Sequence, residues 1–254
     1  MNKKLWYLAA IIMAVVNIVM YLIIPLPERV FVLWDDFWEL AAMVLATIFL
    51  LQASQVAGPE KRAFRLFALG FGGWSVGQVL WAGFDLFHPG AVPPFPHISD
   101  IGYFAFYIFV LFGLFALLRH YVSVVSKAQW VTAAGVLIVL LAIAFPFVLL
   151  PVVRSGEMSW LGKFLSFAYP FLDVVVIACL LPVISMFAGG KIGQSWLITA
   201  VGFVAIAGAD IVFTYLQLAG GYSNGNTFAL LWVLGGLLVM VGSLRFIESH
   251  TKTT

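Results

Sequence analysis

The segment Leu165-Ser-Phe-Ala-Tyr169-Pro170-Phe-Leu-Asp173-Val-Val-Val-Ile-Ala-Cys179-Leu-Leu-Pro182-Val-Ile-Ser-Met-Phe187 decides the fold class. It contains one charged residue, Asp173, in a run long enough to cross a hydrocarbon core, which takes about 20 apolar residues. Similar runs can be marked along the whole chain: Leu5–Leu26, Val32–Ala53, Phe64–Phe87, Ile101–Leu118, Trp130–Val153, Leu165–Phe187, Trp196–Ala219 and Thr227–Phe246. Breakers separate them at Pro25-Leu-Pro27, Gly58-Pro59, Pro89–Pro96, Gly189-Gly190 and Gly220-Gly221. The second run is the weakest, because Asp35, Asp36 and Glu39 stand at its start.

Composition agrees with this pattern. Of 254 residues, 63% are hydrophobic and 9% charged, and mean hydropathy is +1.08. A soluble domain carries roughly a quarter charged residues to cover itself with groups that water solvates. This chain lacks them, so lipid must be its solvent. The expected fold is all-α, a polytopic bundle of about eight transmembrane helices forming a single integral membrane domain over residues 1–254. A net charge of +2 gives no nucleic-acid footprint. Cys179, the one cysteine, reads as a packing residue. The run after Met1-Asn2-Lys3-Lys4 is too long for a signal-peptide core and is followed by no A-x-A-like site, so it reads as an uncleaved first span.

Charge orients the eight spans. Lys3, Lys4, Lys61, Arg62, Arg65, Arg119, Lys127, Lys191, Arg245 and Lys252 fall on one side, whereas only Arg29, Arg154 and Lys163 fall on the other. This asymmetry predicts a multi-pass cell-membrane protein with both termini cytoplasmic. Glu28, Asp35, Asp36, Glu39, Asp85, Asp100 and Glu157 lie in outer loops or outer helix ends, and Asp173 and Asp210 lie deeper. The outer half is the chemically distinctive one.

The two halves, 1–127 and 128–254, can be overlaid as a parallel four-plus-four repeat. Gly70-Phe71 matches Gly202-Phe203, which pairs Gln78 with Asp210 and Trp81 with Phe213. Glu39 pairs with Asp173, and Trp6 and Pro25 resemble Trp130 and Pro151.

Ionisable residues inside a span cost about 2.5 kcal/mol or more on insertion scales, so they usually face the bundle interior and mark function. Asp173, Asp210 and Glu39 are the strongest such positions. Pro170 frees a backbone carbonyl near Asp173, and irregular backbone is tolerated where it lines a cavity. No Lys or Arg lies at this depth. The acids must therefore be protonated, share protons, contact a cation or meet water. Trp34, Trp38, Trp74, Trp81, Tyr103, Tyr107, Tyr169, Tyr215 and Trp232 lie mostly near these acids and could wall an aromatic pocket; packing between helices explains them equally well.

Asp85-Leu-Phe-His88 and His97-Ile-Ser-Asp100 have mirrored i, i+3 spacing, and two His with two carboxylates suit tetrahedral zinc. An N-cap at Ser99 with Asp100 in the first turn accounts for the second pair without metal. No cofactor is otherwise expected. There is no H-E-x-x-H, P-loop, G-x-S-x-G or Cys-x-x-Cys motif, and the last span has no lysine for a retinal Schiff base. The enzyme reading is the weaker one.

Ser99-Asp100-Ile-Gly-Tyr103-Phe-Ala-Phe-Tyr107, following a proline-rich loop, resembles the P-S-x-A-D-x-x-Y-x-x-x-Y pattern of one membrane family. Its members are multi-span sensor regions N-terminal to diguanylate cyclase, phosphodiesterase and sensor-kinase output domains. Tyr169-Pro170-x-x-Asp173 resembles that family's Y-P-x-x-D, and Ala209-Asp210 with Tyr215 is similar to its second acidic helix. The 221–226 loop leading to Leu231-Trp232 is also similar, as is Trp74 through Trp81, with Gln78 where an acid would be expected. The resemblance spans about residues 35–246. It implies a sensory input module, although no output domain follows Phe246 in this sequence.

These readings converge on a receptor-like module that binds a small ligand, cation or proton in an outward-facing pocket. The expected ligand-binding residues are Glu39, Gln78, Trp81, Asp85, Asp100, Tyr103, Tyr107, Tyr169, Asp173, Asp210, Tyr215 and Trp232, with His88 and His97 as the metal alternative. Expected partners are the lipid bilayer, a small ligand or ion, and a cytoplasmic signalling partner or a second copy. A proton- or cation-coupled secondary transporter is the alternative. A membrane enzyme with a metal site at the outer face is the third reading.

Overall fold

A computed structural model describes residues 3–154, 159–187, 190–223 and 226–251, with the side chains of 147, 148, 190 and 191 left out. The described chain is helical throughout: α1 (Lys3–Leu22), α2 (Glu28–Val56), α3 (Lys61–Phe87), α4 (Asp100–His120), α5 (Lys127–Ala144), α6 (Leu150–Arg154), α7 (Trp160–Met186), α8 (Gly190–Ala219) and α9 (Leu230–Thr251). Seven of these are long and apolar enough to cross a membrane; α3 and the short α6 are the exceptions. The protein is thus a multi-pass helical membrane protein. At 27 residues, α3 is as long as its neighbours, but Lys61, Arg62 and Arg65 at one end and Asp85 at the other lower its hydropathy. Glu157 and Lys252 lie outside the described residues.

Helix ends follow local chemistry. α1 stops at Leu22, short of Leu26, and Pro27 immediately precedes α2. Ser126 and Gln129 form a reciprocal capping box that opens α5. Pro146 removes a backbone donor, and there the fifth helix passes through a π turn, Phe145–Leu149, into α6. α7 begins at Trp160, before the expected Leu165, because Ser159 accepts a hydrogen bond from the Gly162 N–H at 3.1 Å.

Six helices pack in a closed ring, α2–α3–α4–α7–α8–α9 and back to α2. α1 lies outside against α9, and α5 lies outside against α7, burying only Ala133 and Ala144. Tyr7 donates to Glu248 Oε2 at 3.0 Å and Tyr121 to Glu60 Oε1 at 2.5 Å, so the start of α1, the end of α9, the end of α4 and the start of α3 share one end of the bundle. Burial, and then Glu60, push the Tyr121 phenol well up, so it stays a donor. Tyr21 donates to Asp35 at the opposite end, where α1 closes and α2 opens.

Two glycine seams set the helix spacing. A Cβ on Gly102 would lie 2.5 Å from Gly73 O and 2.5 Å from the Gly77 N, so α3 and α4 touch backbone to backbone. Gly202 and Gly235 do the same for α8 and α9, where an added Cβ on either would come within 2.8 Å of the other's carbonyl oxygen. Lipid gives helices no hydrophobic reason to associate, so such close backbone contact supplies much of the attraction.

Candidate functional site

A cavity opens inside the ring, toward the end opposite both described termini. All six ring helices contribute to its wall. Sequence reasoning places Asp35, Asp36 and Glu39 at an outer helix end. Because α2 starts at Glu28, they fall instead about two to three turns into it, 9%, 6% and 5% exposed. Their spacing brings Asp36 and Glu39 onto one face, and both line the cavity with Asp35.

Buried hydrogen bonds knit the wall. Trp74 Nε1 donates to Glu39 Oε1 at 2.8 Å, which ties α3 to α2. Gln78 donates from Nε2 to Asp36 Oδ1 at 3.1 Å and accepts the Tyr103 hydroxyl on Oε1 at 2.7 Å. An amide can donate and accept at once, whereas a carboxylate here would face Asp36 with a second negative charge. That gives a physical reason for an amide rather than an acid at position 78. Asp85 reaches Asp36 from the end of α3 and also lines a second recess beside Glu28 and Arg29.

On the other side, the Tyr107 hydroxyl lies 2.8 Å from Asp173 Oδ1 and 2.5 Å from Asp210 Oδ2. A phenol has one proton, so both contacts are satisfied only when one of the two carboxyls supplies another. Trp232 Nε1 donates to Asp210 Oδ1 at 2.8 Å. Tyr169 donates to Asp100 Oδ1 at 2.7 Å, and Asp100 Oδ2 accepts the His97 backbone N–H at 2.7 Å. Asp100 therefore reaches back as the acidic half of a capping box does. The Ser99 hydroxyl, expected to cap α4, contacts the His97 ring at 2.9 Å instead.

Of the expected ligand-binding residues, Glu39, Gln78, Trp81, Asp100, Tyr103, Tyr107, Tyr169, Asp210 and Trp232 line the cavity. Asp173 stands behind Tyr107, and Asp85 behind Asp36. Tyr215 is 51% exposed and does not line it. The cavity also takes Asp35, Asp36, Phe95, Phe213, Thr214 and Tyr222, which were not expected. Phe213 and Thr214 follow Asp210 at helical spacing, a signal available in sequence. Tyr222 comes from the loop after α8 and had no such signal. Burial, and then the nearby Asp35, Glu39, Asp85 and Asp36, push its phenol well up and keep it a donor.

His88 and His97 both pack on Phe84, with ring centroids 4.4 and 5.5 Å away. Among the described residues, no three of His, Cys, Asp or Glu are grouped to hold a metal ion. Trp34 donates to Asn17 Oδ1, and Trp38 packs with Ala42, Val233 and Leu237, so both serve helix packing.

Below the cavity the axis of the ring is aromatic. Trp74, Phe106, Phe71, Phe203, Phe67, Trp196, Phe64 and Phe246 follow one another with centroids 4.5 to 6.5 Å apart, each nearly or fully buried. The chain matches no known protein family, no curated protein and no solved structure.

Proposed function

We propose that this chain is a receptor-like membrane sensory module that binds a small ligand in the acidic, aromatic cavity and passes the signal along the bundle to its cytoplasmic end. The observation that carries the reading is the cavity's single-ended form: polar and open toward one end, closed below by the aromatic column. The column below the cavity is made of buried aromatic rings and offers no polar path to the other end, which supports the receptor over the transporter alternative. Each ring helix is bonded to another at the cavity wall, and a ligand that prefers one arrangement of those bonds would shift the helices together.

Topology supports the placement. With α3 counted as an eighth span, the basic residues collect at the end that holds both described termini, and the cavity then faces outward. A cysteine placed at Val92 in a Cys179→Ala background is expected to label from outside intact cells, and one at Ser123 only after permeabilisation. The opposite pattern would reverse the orientation.

Two features support the four-plus-four repeat. The Tyr103–Gln78 bond between α4 and α3 has its counterpart in Trp232–Asp210 between α9 and α8. The Gly70 contact with Phe106 and Val110 recurs as Gly202 with Gly235 and Val239. The resemblance to sensor regions points the same way, with a cytoplasmic signalling partner or a second copy as the receiver.

The test is reconstitution. Ligands that quench cavity tryptophan fluorescence are expected to alter hydrogen exchange at the cytoplasmic ends of α3 and α9, with no uptake into proteoliposomes. Saturable, gradient-driven uptake would replace the receptor with the carrier.

A further inference from the structure

Charge of the opposite sign collects at the other end of the bundle, outside the ring. Arg62 and Arg65 stand at the start of α3 and Arg119 at the end of α4, and all three are exposed. Helix packing says which way they face. α3 turns Gly70 and Gly73 toward α4, where an added Cβ would lie 3.0 Å from Phe106 O and 3.2 Å from Gly102 O respectively. It turns Phe64 and Phe71 inward to the aromatic column. At about 3.6 residues per turn, Arg62, Arg65 and Leu69 share the remaining, outward face. On α4, Gly113 meets Phe67 and Ala63, which leaves Phe112, Phe115 and Arg119 on its outward face. The Tyr121–Glu60 bond holds these two helix ends together. The three arginines therefore stand on one side of the bundle, at the edge of an apolar strip in which Leu69, Phe112 and Phe115 are all more than half exposed.

Among the described residues, none of the three has an ion pair or a hydrogen bond. The acids of this end are engaged elsewhere. Glu60 is buried and accepts the Tyr121 hydroxyl, and Glu248 accepts the Tyr7 hydroxyl and pairs with Arg245 at 3.5 Å. Position adds to the imbalance, because a helix start disfavours cations and Glu60 places no side-chain cap on α3. Guanidinium groups match phosphate oxygens two at a time, and their stems lie along apolar surface while the heads stay at the interface. Three positive charges without an acid call for a net negative partner. The adjoining apolar strip separates a lipid from a free anion, which would leave it unused. We propose that the outer face of α3 and α4 binds one anionic phospholipid, its phosphate held by Arg62, Arg65 and Arg119 and its acyl chains lying along Leu69, Phe112 and Phe115. This site is separate from the cavity and does not depend on the receptor reading.

The test uses the full chain in an uncharged detergent, titrated with phosphatidylglycerol, with phosphatidylcholine of the same acyl chains, and with inorganic phosphate. Native mass spectrometry counts the lipids retained, and thermal unfolding follows the stability they add. One phosphatidylglycerol is expected to be held about tenfold or more tightly than phosphatidylcholine. Each arginine near a headgroup contributes about fivefold, so Arg62→Gln with Arg65→Gln should remove most of that preference. Should that double variant fail to fold, Arg119→Gln alone is expected to weaken retention about fivefold. Lys3→Gln with Lys4→Gln removes the same charge from the same end of the bundle and should leave the preference intact. An equal loss in this control would reduce the effect to surface charge and overturn the site. Equal retention of the two lipids would overturn it as well. Stabilisation by inorganic phosphate alone, matching that of the lipid, would replace the lipid with a free anion.

Discussion

Alanine at Gly102 is expected to destabilise the bundle by about 2–3 kcal/mol, the usual scale for forcing atoms into a filled interface. The new Cβ would sit 2.5 Å from Gly73 O and from Gly77 N, and 2.7 Å from the Gly77 Cα. All three are backbone atoms, so no side chain can turn away, and α3 and α4 must separate. Separation would lengthen the Tyr103–Gln78 bond and loosen the cavity wall. Gly83→Ala is the matched control on α3, since nothing lies within 4 Å of a Cβ there. It should be neutral or slightly stabilising, because alanine favours a helix by up to about 1 kcal/mol over glycine. Thermal unfolding in detergent, followed by circular dichroism, measures both. Equal midpoints would show that α3 and α4 are not in close backbone contact.

Removing the hydroxyl of Tyr107 is expected to cost about 3 kcal/mol, because buried carboxyls that lose a partner bear the full penalty of desolvation. In Tyr107→Phe, Asp173 would lose its one bond to α4, and Asp210 would keep only Trp232. Asp173 Oδ2 already has no hydrogen-bond partner, which leaves it little to fall back on. Adding Asp173→Asn in the Tyr107→Phe background should recover part of the loss, since an amide carries no charge to desolvate. A double-mutant cycle over Tyr107, Asp173 and both together, read by thermal stability, is expected to show coupling of at least about 1 kcal/mol. Additive losses would mean that the contact contributes nothing to the folded state.

Both experiments probe what a sequence reader could and could not see. Asp173 and Asp210 stand out because a carboxyl inside an apolar run is costly and rarely accidental. That they meet through the single hydroxyl of Tyr107 depends on how α4, α7 and α8 come together, and 66 and 103 residues separate Tyr107 from its two partners. Asp35 and Asp36 lie deeper in their helix than hydropathy suggests, for a local reason. Hydropathy starts the second span where the apolar run begins, but helix α2 begins at Glu28 and carries the acids inward by more than a turn. Tyr215 erred in the other direction: an aromatic residue five positions after Asp210 turns to a different face of α8, and it is half exposed.

The amino-acid sequence determined that this protein is helical, membrane-embedded and acidic in one half, because hydrocarbon demands internally bonded backbone and tolerates few charges, whatever the partners of each helix. Tertiary structure decided which helices form the ring, which polar groups share protons, and that an aromatic column closes the cavity from below. Those outcomes depend on backbone contact at Gly102 and Gly202 and on the rotation of each helix about its own axis. Both are set between helices, where local periodicity carries no information.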